Sequence, residues 1–131
     1  MAEKSGLIRW NWFWLTVIWA ATLASLSSIT SKQMPHWSIL AYDKLFHLGF
    51  YAPLGFFLMA TFARRMWFRY GCMLLVVMLY GCSDEIHQHF VPGRTMDVWD
   101  WMFDTVGGAI GGAIFLWWEH LRDKFTLKHA S

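Results

Sequence analysis

Apolar residues run along this chain in four long blocks that are separated by short polar stretches. Each block holds about 20 residues, which is the length an α-helix needs to cross the apolar core of a bilayer. The pattern predicts helices near residues 10–29, 44–63, 70–90 and 98–118. Because the connections are short and the sequence contains no repeat or low-complexity tract, we expect a single domain over residues 1–131.

The composition favours a membrane protein over a soluble domain. Apolar residues make up 56% of the chain, with 10 Trp and 11 Phe, and charged residues only 15%; a typical soluble domain carries about 25% charged residues. The formal net charge of +2 and the lack of a basic cluster argue against a nucleic-acid partner. The first block is long and rich in Trp, which indicates a retained helix rather than a cleaved signal peptide.

Lysine and arginine are distributed unevenly between the two ends of the predicted bundle. Basic residues near the ends of membrane helices are retained on the cytoplasmic side. The larger group comprises Lys4, Arg9, Arg64, Arg65, Arg69, Arg122, Lys124 and Lys128. The smaller group, at the opposite end, comprises Lys32, Lys44 and Arg94. This asymmetry predicts an all-α integral membrane four-helix bundle with both termini in the cytoplasm (N-in/C-in).

The fourth predicted helix carries its acidic residues and its glycines on one face. At about 100° per residue, Asp97, Asp100 and Asp104 share an arc with the glycines of "GGAIGG". Those glycines would let another helix backbone approach closely, and the third helix, with Gly71 and Gly81, is the expected partner. The carboxylates are therefore expected to face the interior of the bundle.

Polar residues of the second and third helices are expected to meet these carboxylates near the outer (periplasmic) surface. Ionisable groups below a membrane surface cost several kcal/mol unless they find partners or water, so they indicate a functional site. The candidate pocket consists of Asp43, Lys44, His47, Tyr51, Glu85, Gln88, Arg94, Asp97, Asp100 and Asp104.

Several kinds of chemistry suit this pocket, and the sequence leaves them open. Acid and base catalysis would use four of the ionisable groups, namely Glu85, His47, Asp100 and Asp104. The same four residues are the candidates for holding a divalent metal ion, although their spacing is not diagnostic. The remaining residues would bind a ligand, with Lys44 and Arg94 holding an anion such as a lipid headgroup phosphate. A proton path along Asp100 and Asp104 is less well supported, because the inner half of the bundle lacks matching charges.

Three segments of the chain resemble the VanZ-like family, which is named for a teicoplanin-resistance protein. They are "DKLFHLGFYAPLG", "SDEIHQHFVPGRTMDVWD" and "DTVGGAIGG", which together span about residues 43–112. The resemblance implies a multi-pass protein of the bacterial inner membrane, with a link in some members to resistance against glycopeptide-like antibiotics. It supplies no mechanism that transfers residue by residue.

The sequence thus leads to two hypotheses of different classes. In the first, the outward-facing pocket binds or modifies an envelope lipid or a lipid-linked headgroup. In the second, the protein is a non-enzymatic structural or partner protein whose polar network only locks the helices together. Whether the protein is an enzyme and whether it forms a homo-oligomer are left open.

Overall fold

The computed structural model describes residues 7–30, 32, 42–64 and 68–128. It contains four α-helices: α1 (Trp10–Ser27), α2 (Asp43–Thr61), α3 (Arg69–His89) and α4 (Val98–Lys128). Within these ranges there is no β-sheet, only an isolated antiparallel bridge between Ile8 and Phe62. The predicted all-helical, four-helix fold class is confirmed, while Lys4 and Arg65 lie outside the described residues.

The fourth helix continues well beyond residue 118, where the apolar block ends. The residues after Trp118 are mostly good helix formers, and they need no apolar environment to extend a helix that is already formed. Glu119 is nevertheless buried, and its ion pair with Arg69 at the start of α3 compensates the charge that this burial removes from water. Hydropathy therefore marked the apolar part of α4 and missed its polar last turns.

Large apolar side chains cover much of the outer surface of the bundle. On α4 they include Trp99, Val106, Ile110 and Trp117, all on the face opposite the acidic residues. Other exposed apolar residues are Trp10, Trp14 and Ile18 on α1 and Leu75, Leu79 and Ile86 on α3. By length and mean hydropathy taken together, none of the helices in the described part of the chain qualifies as a membrane span.

Contacts at the helix ends show that successive helices alternate in direction. The backbone N–H of Arg9, just before α1, donates to the carbonyl of Thr61 at the end of α2. At the other end of the bundle, the hydroxyl of Ser28 lies 3.0 Å from Nε2 of His87 near the end of α3. The ends of α1 and α3 therefore lie together, and the ion pairs of Lys44 with Asp97 and Asp100 place the beginnings of α2 and α4 side by side.

The helices α2 and α4 run in the same direction and form the most extensive helix pair. A Cβ at Gly107 would overlap the backbone carbonyl of Leu48, and a Cβ at Gly111 would overlap that of Ala52. Close backbone approach of this kind is what small residues permit between helices. The glycines of α4 therefore bring α2 against α4 directly below the candidate pocket.

The expectation that α3 is the main partner of these glycines is wrong. Gly71 of α3 faces open space, and Gly81 lies against the side chains of Trp101 and Asp104 rather than against another backbone. The α4 glycines that do face α3, Gly108 and Gly112, contact its side chains only. The glycine that meets the α4 backbone belongs to α2, since a Cβ at Gly55 would overlap the backbone of Gly108.

The apolar core lies in the middle of the bundle and separates two polar ends. Its largest fully buried members are Phe115, Leu54, Met59, Met73 and Val77. One polar end contains all ten candidate residues, and the other contains Arg69 and Glu119. The core thus isolates the candidate pocket from the opposite face of the molecule.

Candidate functional site

The candidate pocket forms where α2 and α4 begin and α3 ends. Asp43, Lys44 and His47 lie in the first two turns of α2, and Asp100 lies in the first turn of α4. Helix N-termini carry a partial positive charge, which favours carboxylates at these positions. The structure brings all ten predicted residues together at this end, although their functional roles stay predictions.

Lys44 links α2 to the start of α4 through two carboxylates. Its Nζ donates to Oδ2 of Asp97 at 2.5 Å and also to Oδ1 of Asp100. Lys44 and Asp97 are partly exposed, whereas Asp100 is buried. The hydrogen bond from Lys44 lowers the pKa of Asp97, so this contact stabilises the fold at neutral pH and is lost as the pH falls through that pKa.

His47 lies between two carboxylates of α4. Its Nδ1 is 2.8 Å from Oδ1 of Asp104, and its Nε2 is 3.7 Å from Oδ2 of Asp100. All three side chains are buried, and Asp100 and Asp104 are one helical turn apart. The hydrogen bond at Nδ1 therefore orients the imidazole, while Nε2 faces Asp100 beyond hydrogen-bond distance.

Two buried carboxylate oxygens in this pocket have no hydrogen-bond donor from the described residues. Oε2 of Glu85 accepts the backbone N–H of Asp97 at 2.8 Å, but Oε1 of Glu85 has no partner, and neither has Oδ2 of Asp104. Buried polar atoms are normally paired, so each exception needs an explanation.

Two sets of three side chains bring possible metal-ligand atoms close together. In the first set, one ligand atom from each of His47, Glu85 and Asp104 lies within 4.8 Å of the others. The second set, with the same spacing, consists of Asp43, His47 and Asp100. Within the described part of the chain, these are the two sets that could hold a metal ion.

A chain of hydrogen bonds connects the pocket to the turn that follows α3. The Tyr51 hydroxyl and the Gln88 amide each donate to Oδ2 of Asp84 at 3.3 Å. Arg94 donates through Nε and Nη2 to the side-chain oxygen Oε1 of Gln88, at 3.2 and 2.6 Å. Gly93 has a φ of 79°, which glycine adopts without strain and which turns the chain so that Arg94 points back to α3.

Asp84 belongs to this pocket although it was absent from the predicted set. The signal was available, since Asp84 and Gln88 are four residues apart and share one face of α3. Asp84 also lines a cavity of about 180 Å³ between α1 and α3, together with Ala24, Ser28, Tyr80, Ser83 and His87. The pocket therefore extends from the α2–α4 contact towards α1.

The ion-pair cluster at the opposite end of the bundle was missed entirely. Nη2 of Arg69 lies 2.5 Å from Oε2 of Glu119, and Nε of Arg64 lies 3.5 Å from the other oxygen of that carboxylate. The spacing of Glu119 from Gly112 and Phe115 places it on the buried face of α4, which is the signal that could have revealed it. From the sequence alone, Arg64 and Arg69 indicate only which end of the bundle is expected in the cytoplasm.

Comparison of the sequence with known proteins identifies the family of this chain. No curated protein and no solved structure matches the chain. A family model described as VanZ/LLP1 matches residues 5–119, a range that includes every residue of the candidate pocket. The resemblance seen in the three sequence segments is thereby confirmed, and the chain belongs to the VanZ/LLP1 family.

Proposed function

We propose that this protein binds or modifies an envelope lipid, or a lipid-linked headgroup, in the pocket at the start of α2 and α4. The observation that supports this proposal is the layered arrangement of charge. Two partly exposed cations, Lys44 and Arg94, lie above a buried layer that contains His47, Glu85 and Asp104. A headgroup phosphate would contact the two cations first. The buried groups would then lie close to the covalent bonds of the headgroup next to the phosphate.

The proposal places the chain in the bacterial inner membrane as a multi-pass protein, with the pocket facing outward and both termini in the cytoplasm. It rests on the exposed apolar side chains and the asymmetry of basic residues, not on mean hydropathy. The helices α1, α2 and α3 have 18, 19 and 21 residues. At about 1.5 Å per residue they measure roughly 27 to 32 Å, close to the roughly 30 Å apolar core of a bilayer.

The location and orientation can be tested with fusions to the C-terminus in bacteria. We expect a green fluorescent protein fusion to fluoresce and an alkaline phosphatase fusion to be inactive, because the first folds in the cytoplasm and the second requires the periplasm. We also expect the protein to stay in the membrane fraction after alkaline carbonate washing. Release by carbonate would contradict the membrane location, and an active phosphatase fusion would contradict the orientation.

The pocket offers two ways of acting on a headgroup. The guanidinium of Arg94 provides a planar pair of donors that matches a phosphate, while the Lys44 ammonium acts as a point charge. Below them, an imidazole between carboxylates can accept and return a proton, which a modification reaction needs. Altered surface lipids would in turn change how a glycopeptide antibiotic reaches its target, and we propose that link to resistance on the same basis.

Native mass spectrometry of the protein in mild detergent tests lipid binding, with phosphatidylglycerol as the added probe. We expect a one-to-one lipid adduct on the wild-type protein that is lost in Glu85→Ala and in Asp100→Asn. Asp123→Asn removes a carboxylate at the opposite end of the bundle and should keep the adduct. A wild-type protein without an adduct, or an adduct that survives both pocket substitutions, would contradict the proposal.

The alternative, a structural network that locks the helices, is favoured by one observation. Lys44 and Glu85 each connect two elements of the bundle through Asp97: the Lys44 ammonium donates to the Asp97 carboxylate, and the backbone N–H of Asp97 donates to the Glu85 carboxylate. The same Asp100→Asn variant separates the two hypotheses. A ligand site should lose its lipid while the variant remains folded, whereas a structural lock should lose thermal stability.

A further inference from the structure

We propose that His47, Glu85 and Asp104 form a binding site for one divalent transition-metal ion of the Zn²⁺ type. The inference deepens the proposed function, on which it rests for the role of the pocket. The three residues come from α2, α3 and α4, so one ion would join three helices at a single point. Imidazole and carboxylate are the ligands that Zn²⁺ accepts in catalytic sites, where a further position stays open to a ligand.

The geometry that supports this site is the convergence of three buried side chains. His47, Glu85 and Asp104 are 8%, 3% and 0% exposed, and one donor atom from each lies within 4.8 Å of the others. Metal–ligand distances of about 2.0–2.2 Å in a tetrahedral site place the donor atoms roughly 3.3–3.6 Å apart, which is closer than the 4.8 Å within which these atoms lie. The three side chains would therefore converge on the ion when it binds.

The unpartnered oxygens provide an independent reason to expect a cation. Oε1 of Glu85 and Oδ2 of Asp104 are buried and receive no hydrogen bond from the described protein atoms. The nearby donors are already used, since Lys44 binds Asp97 and Asp100, and Tyr51 binds Asp84. A buried carboxylate without a partner is costly, and a divalent cation would supply charge and ligand bonds to both oxygens.

Asp100 takes the position of a residue that orients the metal-bound histidine. In metal sites the second ring nitrogen of a ligand histidine usually donates to a carboxylate, which selects the tautomer. Here Nδ1 of His47 faces Asp104, while Nε2 faces Oδ2 of Asp100 at 3.7 Å, and Lys44 holds Asp100 from the other side. A proton on Nε2 would leave Nδ1 free to bind the metal, and Asp100 would act as a positioning residue once the 3.7 Å contact shortens to a hydrogen bond.

The second set of donors, Asp43, His47 and Asp100, shares the same imidazole and is the weaker candidate. Its Asp43 is only half-buried, and the Asp100 carboxylate is engaged by the Lys44 ammonium. A cation there would have to compete with Lys44 for Asp100 and with solvent for Asp43. The buried set that contains Glu85 and Asp104 meets neither difficulty.

The test is a Zn²⁺ titration of the tag-free, full-length protein in detergent, freed of metal by a chelator and without added lipid. We expect isothermal titration calorimetry to show one Zn²⁺ per chain, and binding more than about 100-fold weaker in Glu85→Gln and Asp104→Asn. Asp100→Asn should retain the one-to-one stoichiometry and bind about 10- to 100-fold more weakly. Asp123→Asn should bind as the wild type does, and circular dichroism should show that all four variants are folded.

The inference would be overturned if the wild-type protein showed no saturable Zn²⁺ binding. It would also be overturned if Glu85→Gln and Asp104→Asn bound Zn²⁺ with the affinity of the wild type. X-ray absorption at the zinc edge of the wild type gives an answer that does not depend on the variants folding. One imidazole with oxygen ligands would support the site, and sulfur or several imidazoles would overturn it. Lipid binding by a protein that binds no Zn²⁺ would overturn this inference alone, whereas Zn²⁺ binding without a lipid adduct would overturn the proposed function alone.

Discussion

Replacing Arg69 by methionine should lower the free energy of unfolding by about 3–5 kcal/mol, because it leaves a buried carboxylate without its main partner. Nη2 of Arg69 lies 2.5 Å from Oε2 of Glu119, and Glu119 is only 2% exposed. Arg64 approaches the same carboxylate at 3.5 Å, but its side chain is 53% exposed and also pairs with Asp123. We therefore expect Arg64 to compensate only in part. Chemical unfolding in mild detergent, followed by circular dichroism, measures the loss.

Two control variants decide whether the loss comes from the broken buried pair. The double variant Arg69→Met/Glu119→Leu should recover most of the stability, since replacing both partners by apolar residues is often close to neutral. Arg64→Met removes a mostly exposed cation and should cost only about 0–1 kcal/mol. If the double variant were as unstable as the single one, the side chain of Arg69 would stabilise the fold by packing rather than by charge, and our explanation would be wrong.

The sequence alone predicted the parts of this structure that follow from local periodicity. Four apolar blocks corresponded to four helices. A helix whose side chains are apolar on both its buried and its exposed faces is apolar over most of its length, so hydropathy alone locates it. The spacing of Asp100 and Asp104 placed both carboxylates on one face of α4, and both are buried in the structure. The motifs around these residues were also sufficient to indicate the family.

What the sequence did not reveal are the contacts between residues that are distant in the chain. Arg69 and Glu119 are 50 residues apart, and nothing local to either residue specifies the other as its partner. Likewise, the glycines of α4 indicated a close approach without showing which helix approaches: the backbone they meet belongs to α2, at Leu48, Ala52 and Gly55, and not to α3 with its Gly71 and Gly81. The sequence likewise suggested Lys44 as an anion-binding residue without showing that Asp97 and Asp100 already engage it.

Replacing Gly111 by alanine should destabilise the protein by about 3 kcal/mol, the upper end of what overpacking of a core usually costs. The added Cβ would overlap the backbone carbonyl of Ala52, and a backbone cannot move aside as a flexible side chain can. The helices α2 and α4 would have to separate instead. Because His47 is on α2 and Asp104 is on α4, that separation should also lengthen their 2.8 Å contact and weaken ligand binding in the pocket.

The same substitution at Gly49 provides a matched control of opposite sign. Gly49 lies within α2, is exposed and has open space where a Cβ would lie. Alanine is a better helix former there by about 0.5–1 kcal/mol, so Gly49→Ala should stabilise the protein slightly. Chemical unfolding of the two variants in the same detergent separates backbone crowding from helix propensity. If Gly111→Ala were as stable as Gly49→Ala, α2 and α4 could not be in direct backbone contact, and the pocket above them would not have the geometry that brings His47 to Asp104.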